Sequence, residues 1–208
     1  MANTSAPFGF SEARGTGSVP TYEQVEGFLN YNGSAPSTTA IFSGDPLFRQ
    51  SDGSLAVVVA SIGTNTIAGV FVGCKYLSVA QKRTVWSNYW PGSDAATSGA
   101  ASLVSVYYIN DPNAQFLAQT GGSTSVGLTT ASVGLNLQFA YGTGNTANGI
   151  SGAYLDMNST TGTTTATLPF RLVSLVTAPP GAPGTAAGAY NYAIVAFNNV
   201  ETKNATAV

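Results

Sequence analysis

The apolar residues of this chain come in short runs, among them "SLAVVVA", "IAGVFVGCKY", "SLVSVYYIN", "LNLQFAYG", "LPFRLVSLV" and "YNYAIVAF". Between them stand clusters of Gly, Ser, Thr and Asn. The runs are rich in Val, Ile, Phe and Tyr, the residues that pack well on a pleated surface, and helical periodicity is scarce. In "LNLQFAYG" every second residue from Leu135 to Tyr141 is apolar, so one face of that segment is expected to be buried. About ten short strands with almost no helix leave a jelly-roll-like two-sheet sandwich or a small β-barrel. A length of 208 residues suits one such all-β domain.

Residues 1–20, "MANTSAPFGFSEARGTGSVP", show no sustained period of either kind and contain several breakers. They are expected to form an extended N-terminal arm, with residues 21–208 as a single β-domain. "TYEQVEGFLN" suits either a short helical turn or the first strand, and "TTASVGLN" a short helix. Three turn signals separate apolar runs: Gly44-Asp45-Pro46, Asp52-Gly53 and Asp111-Pro112-Asn113. An Asp before Pro is held extended, and its carboxylate readily accepts a backbone N–H two residues on. Asp-Gly between apolar runs marks a hairpin. The two glycines in "IAGVFVGCKYL" suggest a bulge or a close backbone approach. The Pro/Gly/Ala stretch at 178–189 lies between two strand-like runs and reads as a loop within the domain.

The residue inventory removes most catalytic chemistries. There is no histidine and one cysteine, Cys74, so neither a Ser-His-Asp arrangement nor an internal disulfide can be drawn. Cys74 sits in an apolar run, the setting of a core residue. "LDMNSTTG" places Asp156 and Asn158 two apart, yet Thr161 and Thr167 stand where a calcium-binding EF-hand loop needs Gly and Glu. "GTGNTANG" lacks the Lys of a phosphate-binding loop. No enzyme, cofactor or metal is expected. Seven basic against nine acidic residues give a net charge of −2, leaving no field for a nucleic-acid backbone. No apolar run reaches membrane-spanning or signal length, so a chain folded in the cytoplasm is expected. Charged residues make up only 8% of the sequence, which suits a protein packed against other protein. Trp86, Tyr89, Trp90, Tyr107 and Tyr108 suit core or interface positions, or alternatively a sugar-binding platform.

Seven segments in order, "APFGF", "IFSGDPL", "AGVFVGCKY", "INDPNAQFLAQ", "SVGLNLQF", "GISGAYLD" and "LPFRLVSLV", make the chain resemble the head decoration, or cement, proteins of tailed bacteriophages. The resemblance runs from Ala6 to about Asn199. It implies a jelly-roll-like or barrel subunit that forms homotrimers and binds the major capsid protein on the outside of an icosahedral head, stabilising a shell assembled in the host cytoplasm. On that reading the arm, with Pro7, Phe8, Phe10 and Arg14, makes the capsid contact. A carbohydrate-binding β-module displayed on the virion, using Trp86 and Trp90, is the alternative.

Overall fold

The computed structural model describes residues 2–15, 24–30, 35–57, 66–96, 102–159 and 161–203. In chain order the strands are β1 (Ser11–Arg14), β2 (Val25–Phe28), β3 (Ile41–Phe42), β4 (Pro46–Arg49), β5 (Leu55–Ala56), β6 (Ile67–Ser78), β7 (Arg83–Ser87), β8 (Tyr89–Trp90), β9 (Ser105–Ile109), β10 (Gln115–Gly121), β11 (Asn136–Leu137), β12 (Phe139–Ala140), β13 (Tyr154–Asp156), β14 (Phe170–Leu175) and β15 (Tyr192–Phe197). "TYEQVEGFLN" supplies β2, and "TTASVGLN" contains a 3-10 turn at Thr130–Ser132.

The strands form a β-sandwich, and no sheet closes into a barrel. A seven-stranded sheet has the order β11-β14-β15-β10-β13-β12, with β1 also on β10. A six-stranded sheet has the order β2-β9-β6-β4-β5, with β7 also on β6, and β3 pairs with β8 in a small third sheet. The first core lies where the two large sheets face each other. Phe116, Phe139, Phe170, Val195 and Phe197 come from the seven-stranded sheet, and Phe48, Ile67, Val70 and Ile109 from the six-stranded one. The second core lies on the other face of the six-stranded sheet, where Phe71, Cys74, Tyr76, Val106 and Tyr108 are capped by Ile41 and Trp90 of the small sheet. The middle sheet is thus covered on both sides over part of its extent.

The N-terminal segment departs from the arm expected over residues 1–20. Residues 11–14 form β1, antiparallel to β10, with Ser11 opposite Leu117 and Arg14 opposite Gln115. Phe10 lies in the first core, its ring stacked on Phe170 at 4.2 Å. Before β1 the backbone is already held: Gly9 N–H donates to Ala153 O at 3.1 Å, and Gln119 accepts from Ala6 N–H and donates to Thr4 O. The physical reason is hydrogen-bonding supply. β10 offers an open edge at residues 115–117, and filling it buries Phe10, worth about 1.5–3 kcal/mol. Gly9 makes the entry possible, because it adopts φ +75° and a Cβ there would lie 2.6 Å from Ser151 Cβ. The remainder of the expected arm, residues 16–20, falls outside the described residues.

Candidate functional site

β6 is twelve residues long, and a bulge near its middle decides what its two halves can do. Val70 opposes Ile109 and Phe71 opposes Tyr108, but the next pair is Gly73 with Tyr107. Val72 is the extra residue, so Phe71 and Cys74 face the same core although they are three apart. Alternation then continues. Cys74, Tyr76 and Ser78 point inward, whereas Gly73, Lys75 and Leu77 occupy the opposite face.

Beyond the bulge no sheet of the described residues packs on that opposite face, which is partly exposed. β7 pairs there with β6, placing Trp86 across from Lys75 and Thr84 across from Leu77. Leu77 is 42% exposed, Val79 57%, Leu103 just ahead of β9 41%, and Trp86 67%. The face has two parts. The distal part carries Leu77, Val79 and Leu103. The part beside the bulge is a cleft of about 430 Å³ whose lining includes Gln24, Gly73, Trp86, Ser87, Asn88 and Tyr107.

The cleft is a consequence of Gly73. With no side chain on the central strand, Tyr107 of β9 and Trp86 of β7 reach toward each other across it and stack at 5.6 Å with 14° between the ring planes. A Cβ at Gly73 would lie 2.9 Å from Ser87 O. Lys75 places its ammonium 5.2 Å from the Trp86 ring centroid, a contact of about 0.5–1 kcal/mol at an exposed site that limits the indole's motion. Asn88 is fixed through Nδ2, which donates to Asn148 O at 2.6 Å, and the Ser87 hydroxyl accepts Tyr89 N–H at 3.2 Å. Cys74 turns its thiol the other way, into the second core, where Sγ donates to Tyr89 O at 3.4 Å and burial pushes it up to about 12.

The residues singled out in the sequence are not gathered in one place. Trp90, paired with Trp86 as a sugar platform, is fully buried, its Nε1 donating to Ser37 O at 2.8 Å and its ring edge-on to Tyr76. It has no face for a ligand. Phe10 is a core residue of its own chain and so is withdrawn from the neighbour contact expected of it. Phe8 is half-buried and packs edge-on to Tyr192 at 5.3 Å; Pro7 is half-buried and Arg14 exposed.

The turn residues divide by environment. Asp111 is half-buried at the β9–β10 corner beside Pro112, and its Oδ1 accepts the N–H of exposed Asn113 at 2.9 Å. Asp52 accepts both the N–H and the hydroxyl of Ser54 between β4 and β5, with Gly53 at φ +85°. These hydrogen bonds hold the Asp52 carboxyl below its ordinary range. Asp45 is different. It is buried between Gly44 and Pro46, its carboxylate accepting Phe42 N–H at 2.8 Å and the Ser151 hydroxyl. Burial raises it to about 6 against the opposing pull of those two donors. Its backbone carbonyl accepts Phe71 N–H, and Gly44 N–H donates to Phe71 O, so this corner clamps the inner half of β6.

Among the described residues no group of three or more His, Cys, Asp or Glu is placed to hold a metal, and no helix is long and apolar enough to cross a membrane. Asp156, from the failed calcium loop, accepts Asn158 N–H and the Ser159 hydroxyl and so shapes a turn. Comparison with protein-family models, with curated proteins and with solved structures finds no match to this chain.

Proposed function

We propose that this chain is a non-enzymatic virion structural protein that binds the major capsid protein on the outer surface of an icosahedral phage head, as a homotrimer, and stabilises the shell. The observation that carries the reading is the bare distal face of the β6–β7 hairpin. Leu77, Val79 and Leu103 are each more than two-fifths exposed on a chain with few charges to keep neighbours away. Scattered single apolar residues are normal on a surface, but three strongly exposed ones at the end of β6, in the turn that follows it and just ahead of β9 support a contact site here. Covering the three side chains contributes on the order of 1 kcal/mol each. Three such weak contacts on one trimer would release far more slowly than one.

The test is co-sedimentation of the purified chain with phage heads lacking it, followed by cryo-electron microscopy of the particles. The expected result is density on the outer lattice at saturating stoichiometry, and at least a tenfold weaker association for a Leu77→Ser/Val79→Ser variant. Heads that take up no protein, or take up the double variant as readily as the parent, would refute the reading.

A further inference from the structure

We infer that the cleft lined by Trp86 and Tyr107 is a binding site for a neutral pyranose oligosaccharide. Trp86 is the most exposed large apolar side chain among the described residues, yet its neighbours restrain it. Tyr107 stacks on it nearly parallel and the Lys75 ammonium lies within cation–π distance, so the indole is presented in a fixed attitude at little further ordering cost. A surface that served only to meet a flat protein face would gain nothing from the depression beside it. That depression, about 430 Å³, lies within the range of small-ligand clefts.

The lining selects the ligand. Aromatic rings suit the C–H face of a pyranose, while the side-chain amides of Gln24 and Asn88 and the Ser87 hydroxyl can donate to and accept from ring hydroxyls. Among the described residues no carboxylate lines the cleft itself, exposed Glu26 lies outside it across from Tyr107, and Lys75 is engaged with Trp86, so a neutral ligand is favoured. Gly73 leaves the strand surface beside the stacked pair open, so a sugar ring can lie against Trp86 with its hydroxyls toward Ser87 and Asn88. The inference stands apart from shell binding, which uses the distal side chains Leu77, Val79 and Leu103, and it can be tested on the isolated protein.

The experiment is a titration of the full chain with maltohexaose, cellohexaose and hexa-N-acetylchitohexaose, read by tryptophan fluorescence and by saturation-transfer NMR on the sugar. At least one of the three is expected to bind saturably in the high-micromolar to millimolar range. Trp86→Ala should then weaken it at least tenfold and Trp86→Phe only a few-fold, with circular dichroism unchanged. The second signal, from Trp90, stays constant because that indole is buried. No saturable binding by any of the three sugars up to about 10 mM, corresponding to less than roughly 3 kcal/mol, overturns the inference. So does unaltered affinity in Trp86→Ala. A Trp86→Ala variant that changes the sedimentation state of the free protein overturns it as well, since the cleft would then belong to a contact between copies.

Discussion

The two halves of β6 lie on one strand and have opposite fates: Ile67–Phe71 is apolar but for Gly69, whereas Gly73–Ser78 mixes Cys74, Tyr76 and Leu77 with Lys75 and Ser78. From Ile67 to Phe71 every residue is buried, because the seven-stranded sheet covers one face and the small β3–β8 sheet the other. From Gly73 to Ser78 only alternate residues are buried, and the outward ones meet solvent. What separates the halves is not strand propensity but coverage: past the bulge at Val72, β6 runs beyond the sheet that faces it. An apolar strand that is bare on one side is a place for contact with something else, and one that is covered on both sides is a determinant of stability.

That contrast can be broken most forcefully from the covered half. Phe71→Ala is expected to lower unfolding free energy by about 3–5 kcal/mol in chemical denaturation, because its ring is enclosed and the cavity cannot collapse. A loss under 1 kcal/mol would mean that the second core is loose.

Next in size is a pH effect at the corner that clamps Phe71. Asp45 is raised from an ordinary 3.8 to about 6 by burial, so between those values the folded chain keeps a proton that the unfolded chain has released. The stabilisation is therefore complete below pH 4 and is lost as pH rises through about 6, by roughly 3 kcal/mol. Asp52 and Asp94 are held low by Ser54 and Ser78 and act in the opposite sense at more acid pH. Thermal melts between pH 4.5 and 7 should show the parent gaining stability toward acid and Asp45→Asn showing a flat profile. The same slope in both proteins would remove Asp45 as its source.

The smallest effect belongs to the open half. Trp86→Ala, despite deleting the largest side chain type, should shift unfolding free energy by no more than about 0.5–1 kcal/mol, the worth of its ring and cation contacts. A loss like that of Phe71→Ala would show that the outer face is structurally essential.

Legibility in the sequence followed sequence distance. The alternation from Leu135 to Tyr141 is present in the fold as buried Leu137 and Phe139 with Leu135 and Tyr141 half-buried, because a period of two needs no knowledge of the partner strand. Asp52-Gly53 lies between β4 and β5 for the same local reason. Phe10 could not be placed from its neighbours: β1 is four residues long, shows no full burial, and pairs with residues 115–117. Trp86 and Trp90 carry the same chemistry four positions apart, and only the pairing of β7 with β6 and of β8 with β3 puts one outside and the other inside. The cleft was legible to the extent that Gly73 signalled a bulge or close approach. The rings that meet over it come from strands some twenty residues apart, and no local pattern joins them.

The seating of Phe10 also bears on how the protein is made. All six strands of the six-stranded sheet lie between residues 25 and 109, whereas the sheet that receives β1 is completed only when Tyr192–Phe197 has been synthesised. At ordinary translation speeds the first strand therefore leaves the ribosome on the order of ten seconds before its socket exists. During that interval an aromatic side chain destined for the interior stays accessible on the nascent chain, and the middle sheet has one face with nothing yet against it. Biogenesis of this fold is thus a matter of waiting, with Phe10 and β1 among the last parts to settle although they are made before the strands they join.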